Sequence, residues 1–140
     1  LAGEINSHMP EYVVERIGRI LNERKKSLKG SKILVLGVAY KRDIRDVRES
    51  PALDVIKLLQ NAGAEVKYTD PHVPSIRMDD SVMKSVQLTK EILQSSDCVA
   101  IITNHTKFDY DMVVQNAQLV MDTRNATRNV KKGREKIVKL

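Results

Sequence analysis

The chain has 140 residues, 41% of them hydrophobic and 30% charged, with a formal net charge of +6; that is enough apolar side chain for one core and too little for two. Aromatic residues make up 4%, Trp is absent and the basic residues are dispersed among acids, which argues against nucleic acid as a partner. No apolar run nears the ~20 residues of a membrane span, and the single cysteine, Cys98, excludes an internal disulfide and fits a reducing compartment, so a soluble, cytoplasmic protein with no membrane partner is expected. The chain opens at Leu1 with neither an initiator Met nor a signal-peptide pattern, which reads as a piece of a longer protein.

From Pro10 onward, Val13, Ile17, Ile20 and Leu21 recur at helical spacing before the charged run Glu23-Arg24-Lys25-Lys26 and Gly30, predicting a leading amphipathic helix. Such a stripe packs on its own domain, or serves as a connector to an upstream domain or a subunit contact, and one stripe does not choose between these. A continuous apolar run over 32–36 suits a strand buried on both faces of a parallel sheet. Residues 37–51 then place seven charges between that strand and a helix start. Ser50 offers an N-cap oxygen and Pro51 the first helical position; the helix runs over 51–62, with Ala52, Val55, Ile56 and Leu59 on one face, and Gly63 ends it. A strand over 65–69 completes a βαβ unit. A weaker segment at 85–88 leads to a short helix over 90–94, an apolar strand over 98–103, a helix over 110–116 and a strand over 119–122. The basic tail, 131–139, reads as a frayed helix or loose end. Strands alternating with helices predict an α/β fold, a Rossmann-like doubly wound parallel sheet preceded by an amphipathic connector helix. The division is 1–30 for the connector and 31–140 for a ligand-binding domain.

The charged loop lies where open α/β sheets hold their ligands and where free backbone N–H groups favour anions, so it points to a phosphate-bearing ligand. It is not a dinucleotide turn: after Gly37 the expected glycine position holds Ala39, and no glycine follows before Gly63. Asp70 ends a strand where an acid could meet a ribose, but Pro71 follows, and a strand-ending Asp-Pro is more often turn chemistry. Cys98, at the start of a buried strand, reads as a core residue and not a nucleophile. His8, His72 and His105 lack metal-ligand spacing; His105, closing Thr103-Asn104-His105 on the ligand edge, reads as loop polarity or capping. Asp43, Asp46 and Glu49 invite a magnesium or acid-pair reading, but Lys41, Arg42, Arg45 and Arg48 surround them, and internal ion pairing is the commoner outcome. The cations are therefore the functional candidates, and no catalytic residue or metal site is assigned. Arg124, in Asp122-Thr123-Arg124-Asn125, leaves a parallel sheet on the same edge as Lys41, so two cationic positions face one crevice.

An ordered set of motifs makes this pattern specific: Gly37-Val38-Ala39-Tyr40-Lys41, Asp46-Val47-Arg48-Glu49-Ser50-Pro51-Ala52, Gly63-Ala64-Glu65-Val66, Tyr68-Thr69-Asp70-Pro71 and Asp122-Thr123-Arg124-Asn125. Together they resemble the carboxyl-terminal, UDP-binding domain of the UDP-glucose/GDP-mannose dehydrogenase family over nearly the whole chain. Ala2-Gly3-Glu4-Ile5-Asn6 and Met9-Pro10 resemble the start of the long helix that joins the family's central and terminal domains and contributes to its dimer interface. Residues 35–41 look closest to the branch that oxidises UDP-N-acetylhexosamines.

The resemblance implies an NAD-dependent oxidation of the sugar C6 alcohol to a carboxylate in two hydride steps, through a bound aldehyde and a thiohemiacetal, in supply of polysaccharide precursors. It implies that Tyr40 and Lys41 contact the nucleotide sugar, that Arg124 contacts it from the opposite wall, and that Arg48 reaches toward NAD, which the amino-terminal domain mainly holds. The glycine-rich NAD turn, the catalytic cysteine and the central lysine and aspartate belong to missing amino-terminal and central domains, so this fragment alone is expected to be inactive and the full chain a homodimer or higher oligomer. Arg45 stands where many members carry an acid or a neutral residue. UDP-glucose and GDP-mannose are competing substrates within the family. From another class, the competitor is a noncatalytic ligand-sensing module on the same fold, distinguished by the absence upstream of a glycine-rich turn and a Gly-Phe-Gly-Gly-x-Cys-like stretch.

Overall fold

In a computed structural model that describes residues 2–47 and 50–140, five parallel strands form the frame: β1 (Lys32–Leu36), β2 (Glu65–Thr69), β5 (Cys98–Ile101), β6 (Val120–Asp122) and β7 (Ile137–Lys139), ordered β2-β1-β5-β6-β7. β3 (Ser75–Met78) and β4 (Ser81–Lys84) make a separate antiparallel hairpin. Successive residues of a strand point to opposite faces, and here each face has its own core. Ile33 and Val35 of β1 join Cys98 and Ala100 of β5 on one side, while Leu34 and Leu36 join Val99 and Ile101 on the other.

Helices α1 (Ala2–Glu23) and α2 (Pro51–Asn61) cover the first core, and α3 (Lys90–Ser95) and α4 (Tyr110–Asn116) the second. This is the doubly wound arrangement expected of strands that are apolar throughout. The α1 stripe packs on its own domain: Val13, Ile17, Ile20 and Leu21 are buried with Ala52, Val55, Ile56 and Leu59 of α2. The helix continues upstream of the expected start, carrying Pro10 inside it at the loss of one backbone donor. Among the described residues no helix is long and apolar enough to cross a membrane.

Two expectations are corrected. The tail is not loose: a short 3-10 turn, Arg134–Lys136, leads into β7, which pairs Val120↔Ile137, Met121↔Val138 and Asp122↔Lys139. A three-residue edge strand that follows Lys136 and ends in Lys139 shows no apolar run, and its place depends on β6 and on the Arg134 side chain, which donates to the Thr127 and Val130 carbonyls. The segment at 85–88 forms no strand; the Val86 N–H donates to the Tyr68 carbonyl beside β2, and the extended structure lies just before it, in the hairpin. The hairpin turns at Asp79, in the left-handed region at φ 50°, with no glycine to signal it.

The chain passes from β1 outward to β2 and returns to β5 on the other side of β1. That reversal places the topological switch point at the carboxyl ends of β1 and β5, where open α/β sheets form their ligand crevice.

Candidate functional site

Gly37 begins the site. Its φ of 84° is left-handed, and an added Cβ would lie 2.4 Å from the Thr103 carbonyl oxygen, so only glycine lets the loop after β1 meet the loop after β5 this closely. The next two residues, Val38 and Ala39, are buried, and their N–H groups donate to one Asp70 carboxylate oxygen at 2.8 and 3.2 Å. The other Asp70 oxygen accepts the His72 N–H at 2.8 Å, an Asx turn through Pro71. Burial pushes the Asp70 pKa up, but the bonds from His105 and from the Val38 and His72 N–H groups outweigh it and hold the carboxyl below its ordinary range. Asp70 is thus a charged, fully engaged anchor at the end of β2, and its acceptors serve the protein instead of a ribose.

His105 is wholly buried between Asp70 and Asp43. Its Nδ1 accepts the Asp43 backbone N–H at 2.8 Å, and its Nε2 lies 2.8 Å from Asp70 Oδ2. Because a backbone N–H can only donate, the network assigns the neutral Nε2–H tautomer, with Nε2 donating to Asp70. Asp43 sits at φ 62° and turns its carboxylate to the Thr106 N–H and hydroxyl, at 2.8 and 3.1 Å. The Thr106 N–H is the chief cause of its lowered pKa, and the expected pairing with neighbouring cations is not what orients Asp43. The Tyr40 N–H donates to the Asp46 carbonyl at 2.6 Å and closes the loop, while the Thr103 hydroxyl donates to the Ala39 carbonyl at 2.6 Å.

His72 meets His105 edge-on, with ring centroids 4.7 Å apart, and its Nε2 stands 3.9 Å from Asp43 Oδ1. The fold therefore brings together Asp43, His72 and His105, each offering one ligand-type atom within 4.8 Å of the others. The His105 Nδ1 lone pair is already engaged by the Asp43 N–H, and a metal would have to displace that bond. Sequence spacing gave no hint of this trio, since His72 and His105 belong to different strand ends.

Two of the expected cations, Lys41 and Arg124, lie on the sheet's carboxyl edge. Tyr40 is 39% exposed, and the Lys41 ammonium lies 5.7 Å from the centre of its ring, within cation–π range. Lys41 and Arg124 are exposed. Arg124 is fixed at its neck, its Nε donating to the Ile102 carbonyl at 2.9 Å and its N–H to Asp122 at 3.0 Å. Asp122 is buried and also accepts the Ala126 N–H and the Thr127 N–H and hydroxyl; burial raises its pKa, but these bonds, led by the Thr127 hydroxyl, hold it low. The Lys41 and Arg124 loops leave β1 and β6 with β5 between, two strand spacings or about 10 Å apart. Arg48 lies outside the described residues.

At the β1 turn, the N–H groups that would face a pyrophosphate donate to Asp70 from buried positions, so this turn does not fit a dinucleotide. Cys98 is wholly buried, and burial pushes its thiol up to about 12, which leaves no thiolate for nucleophilic chemistry.

Residues 34–129 match the family described as UDP-glucose/GDP-mannose dehydrogenase family, UDP binding domain. The chain is 33% identical over 132 residues to a UDP-N-acetyl-D-mannosamine dehydrogenase of Methanococcus maripaludis, covering 89% of this chain and 29% of the relative. It is 31% identical over 132 residues to a UDP-glucose 6-dehydrogenase of Rickettsia bellii, covering 86% of this chain and 29% of the relative. The solved UDP-N-acetyl-mannosamine dehydrogenase of Staphylococcus aureus superposes with a TM-score of 0.71 at 30% identity, over 97% of this chain and 31% of that one. The chain thus spans about three tenths of the length of the relatives it matches.

Proposed function

The chain belongs to the UDP-glucose/GDP-mannose dehydrogenase family as its UDP-binding domain, and from that premise we propose that it holds the nucleotide sugar in a longer, NAD-dependent dehydrogenase that oxidises the C6 alcohol of a UDP-N-acetylhexosamine to the carboxylate. The observation that carries this reading is the pair of exposed cations, Lys41 and Arg124, on the carboxyl edge at the switch point. A diphosphate bridging that edge meets a compact ammonium on one side and, on the other, a planar guanidinium whose neck is fixed by Ile102. Tyr40, held against Lys41, contacts the same ligand. The acetamido-sugar branch is supported by relatives named UDP-N-acetyl-D-mannosamine dehydrogenases; the relatives named UDP-glucose 6-dehydrogenases support UDP-glucose as the second reading.

NAD, the hydride acceptor, is assigned to an upstream domain because the β1 turn here does not fit it, with Arg48 reaching toward the cofactor. Residues 1–30 join this domain to the upstream ones and contribute to a subunit contact through surface other than the Val13, Ile17, Ile20 and Leu21 stripe buried here, and the enzyme works in the cytoplasm.

The test is NADH formed per sugar by the complete protein, given UDP-N-acetylmannosamine, UDP-N-acetylglucosamine, UDP-glucose and GDP-mannose separately. Two NADH per UDP-N-acetylhexosamine are expected. Lys41→Ala and Arg124→Ala should each weaken nucleotide-sugar binding by about 1.5 to 3 kcal/mol, the scale of a lost hydrogen bond to a charged group, while Arg48→Ala acts on NAD. No NADH from a folded protein that binds NAD would favour a sensing module.

A further inference from the structure

The loop that carries Tyr40 and Lys41 is fastened to the fold mainly by polar contacts. Tyr40 and Ile44 are each 39% exposed, so apolar packing does little to hold residues 40–46 in place. We infer that Asp43, His105 and Asp70 are positioning residues for nucleotide-sugar binding: one hydrogen-bonded chain runs from the tip of this loop to the buried end of β2 and sets where Tyr40 and Lys41 stand. This rests on the reading above that the loop contacts the nucleotide sugar.

Three features carry it. A single oxygen, Asp70 Oδ2, takes the Val38 and Ala39 N–H groups at the loop's root and His105 Nε2, which leads to its tip, so root and tip are referenced to one buried atom. The imidazole uses both nitrogens, accepting from Asp43 at Nδ1 and donating to Asp70 at Nε2, which fixes ring orientation and tautomer together. The left-handed backbone of Asp43 sends its N–H inward to His105 and its carboxylate to Thr106, so the tip is held to the loop after β5 through two separate bonds. Neither His105 nor Asp70 is exposed, and neither is offered to the ligand. They act through Tyr40 and Lys41.

A device that only places ligand contacts alters uniform binding, which appears in KM and not in kcat. The experiment uses the complete dehydrogenase with the nucleotide sugar selected by the substrate comparison, and thermal unfolding confirms that each variant is folded. Asp43→Ala should raise KM for the nucleotide sugar about tenfold, the order of a lost charge-assisted hydrogen bond, with KM for NAD and kcat within about twofold. Asp43→Asn should recover most of the loss, because asparagine tolerates the left-handed region and its amide oxygen accepts the Thr106 N–H. His105→Ala should show the same KM signature, and Asp43, being exposed, keeps the test decisive where His105→Ala does not fold. If Lys41→Ala raises this KM while folded Asp43→Ala leaves it unchanged, the positioning role is overturned and the reading of the loop stands. A loss confined to kcat, or no rescue by Asp43→Asn, also overturns it. If Lys41→Ala itself changes nothing, the loop reading and the positioning role fall together.

Discussion

Two buried aspartates, Asp70 and Asp122, end β2 and β6 and organise the loops that follow, and each stays charged because its hydrogen bonds outweigh the cost of burial. The folded-state pKa lies below the unfolded value near 3.8 in both, so their stabilisation is fully present above about pH 4 and is lost as pH falls through the folded values. Thermal unfolding of the chain between pH 7 and pH 2 should therefore show a fall in Tm below about pH 4. Asp70→Asn should lower Tm at pH 7, since an amide sets its own donors against those of Val38, His72 and His105, at about 1 to 3 kcal/mol, and should flatten the acid slope. An unchanged slope in Asp70→Asn would remove Asp70 from this account. The exposed positions of Lys41 and Arg124 on the carboxyl edge were legible in the sequence because charge in a loop after an apolar strand is a local signal. The anchor was not: His105 and Asp70 are 35 residues apart, and Asp43 reaches His105 across 62. Only the strand order brings them together, and an Asp before a Pro or a lone His has a commoner local explanation.

At the scale of elements, those that announce themselves have caps or unbroken apolar runs. α2 starts at Ser50, whose hydroxyl accepts the Ala52 N–H, and α3 and α4 start at Thr89 and Asp109, which accept from Ile92 and Met112. Each of these starts falls where the sequence places it. β3, β4 and β7 are short, half exposed and interleaved with polar residues, so their pairing depends on neighbours that a local reading does not see. The join between β1 and its loop is the most exacting piece of local geometry. Gly30 and Gly37 share a φ of 84°, but a Cβ on Gly30 meets nothing within 4 Å, whereas on Gly37 it strikes the Thr103 backbone. Gly30→Ala should thus cost only the left-handed strain, about 1 to 2 kcal/mol, and Gly37→Ala clearly more. Denaturant unfolding of the two variants isolates the steric part as their difference; equal costs would mean that the two loops separate easily. Ser50→Ala, losing one cap bond, should fall near 1 kcal/mol.

For the whole molecule, the sheet order makes the carboxyl-terminal strand a support for the site, although the sequence offers it as a loose end. β7 lies against β6, and β6 ends in Asp122, which shapes the Arg124 turn. The tail also grips that turn directly: Lys139 donates to the Asn125 side chain at 2.6 Å, and Arg134 to the Thr127 and Val130 carbonyls at 2.9 and 2.7 Å. Lys136 ties the same segment to the end of α4 through the Val114 and Gln115 carbonyls. The loop after β1 is held from the other direction, by β2 and the end of β5. Removing residues 133–140 should therefore loosen one wall of the crevice and spare the other. Hydrogen exchange followed residue by residue separates the two: the Ala126 and Thr127 amides, bonded to Asp122, should lose protection, while the Val38 and Ala39 amides, bonded to Asp70, keep theirs. Under the role proposed above, the same truncation in the complete protein should weaken nucleotide-sugar binding, and adding Arg124→Ala should do little further harm, because both act on one wall. Full additivity of the two changes would mean that the tail stabilises the fold without placing Arg124.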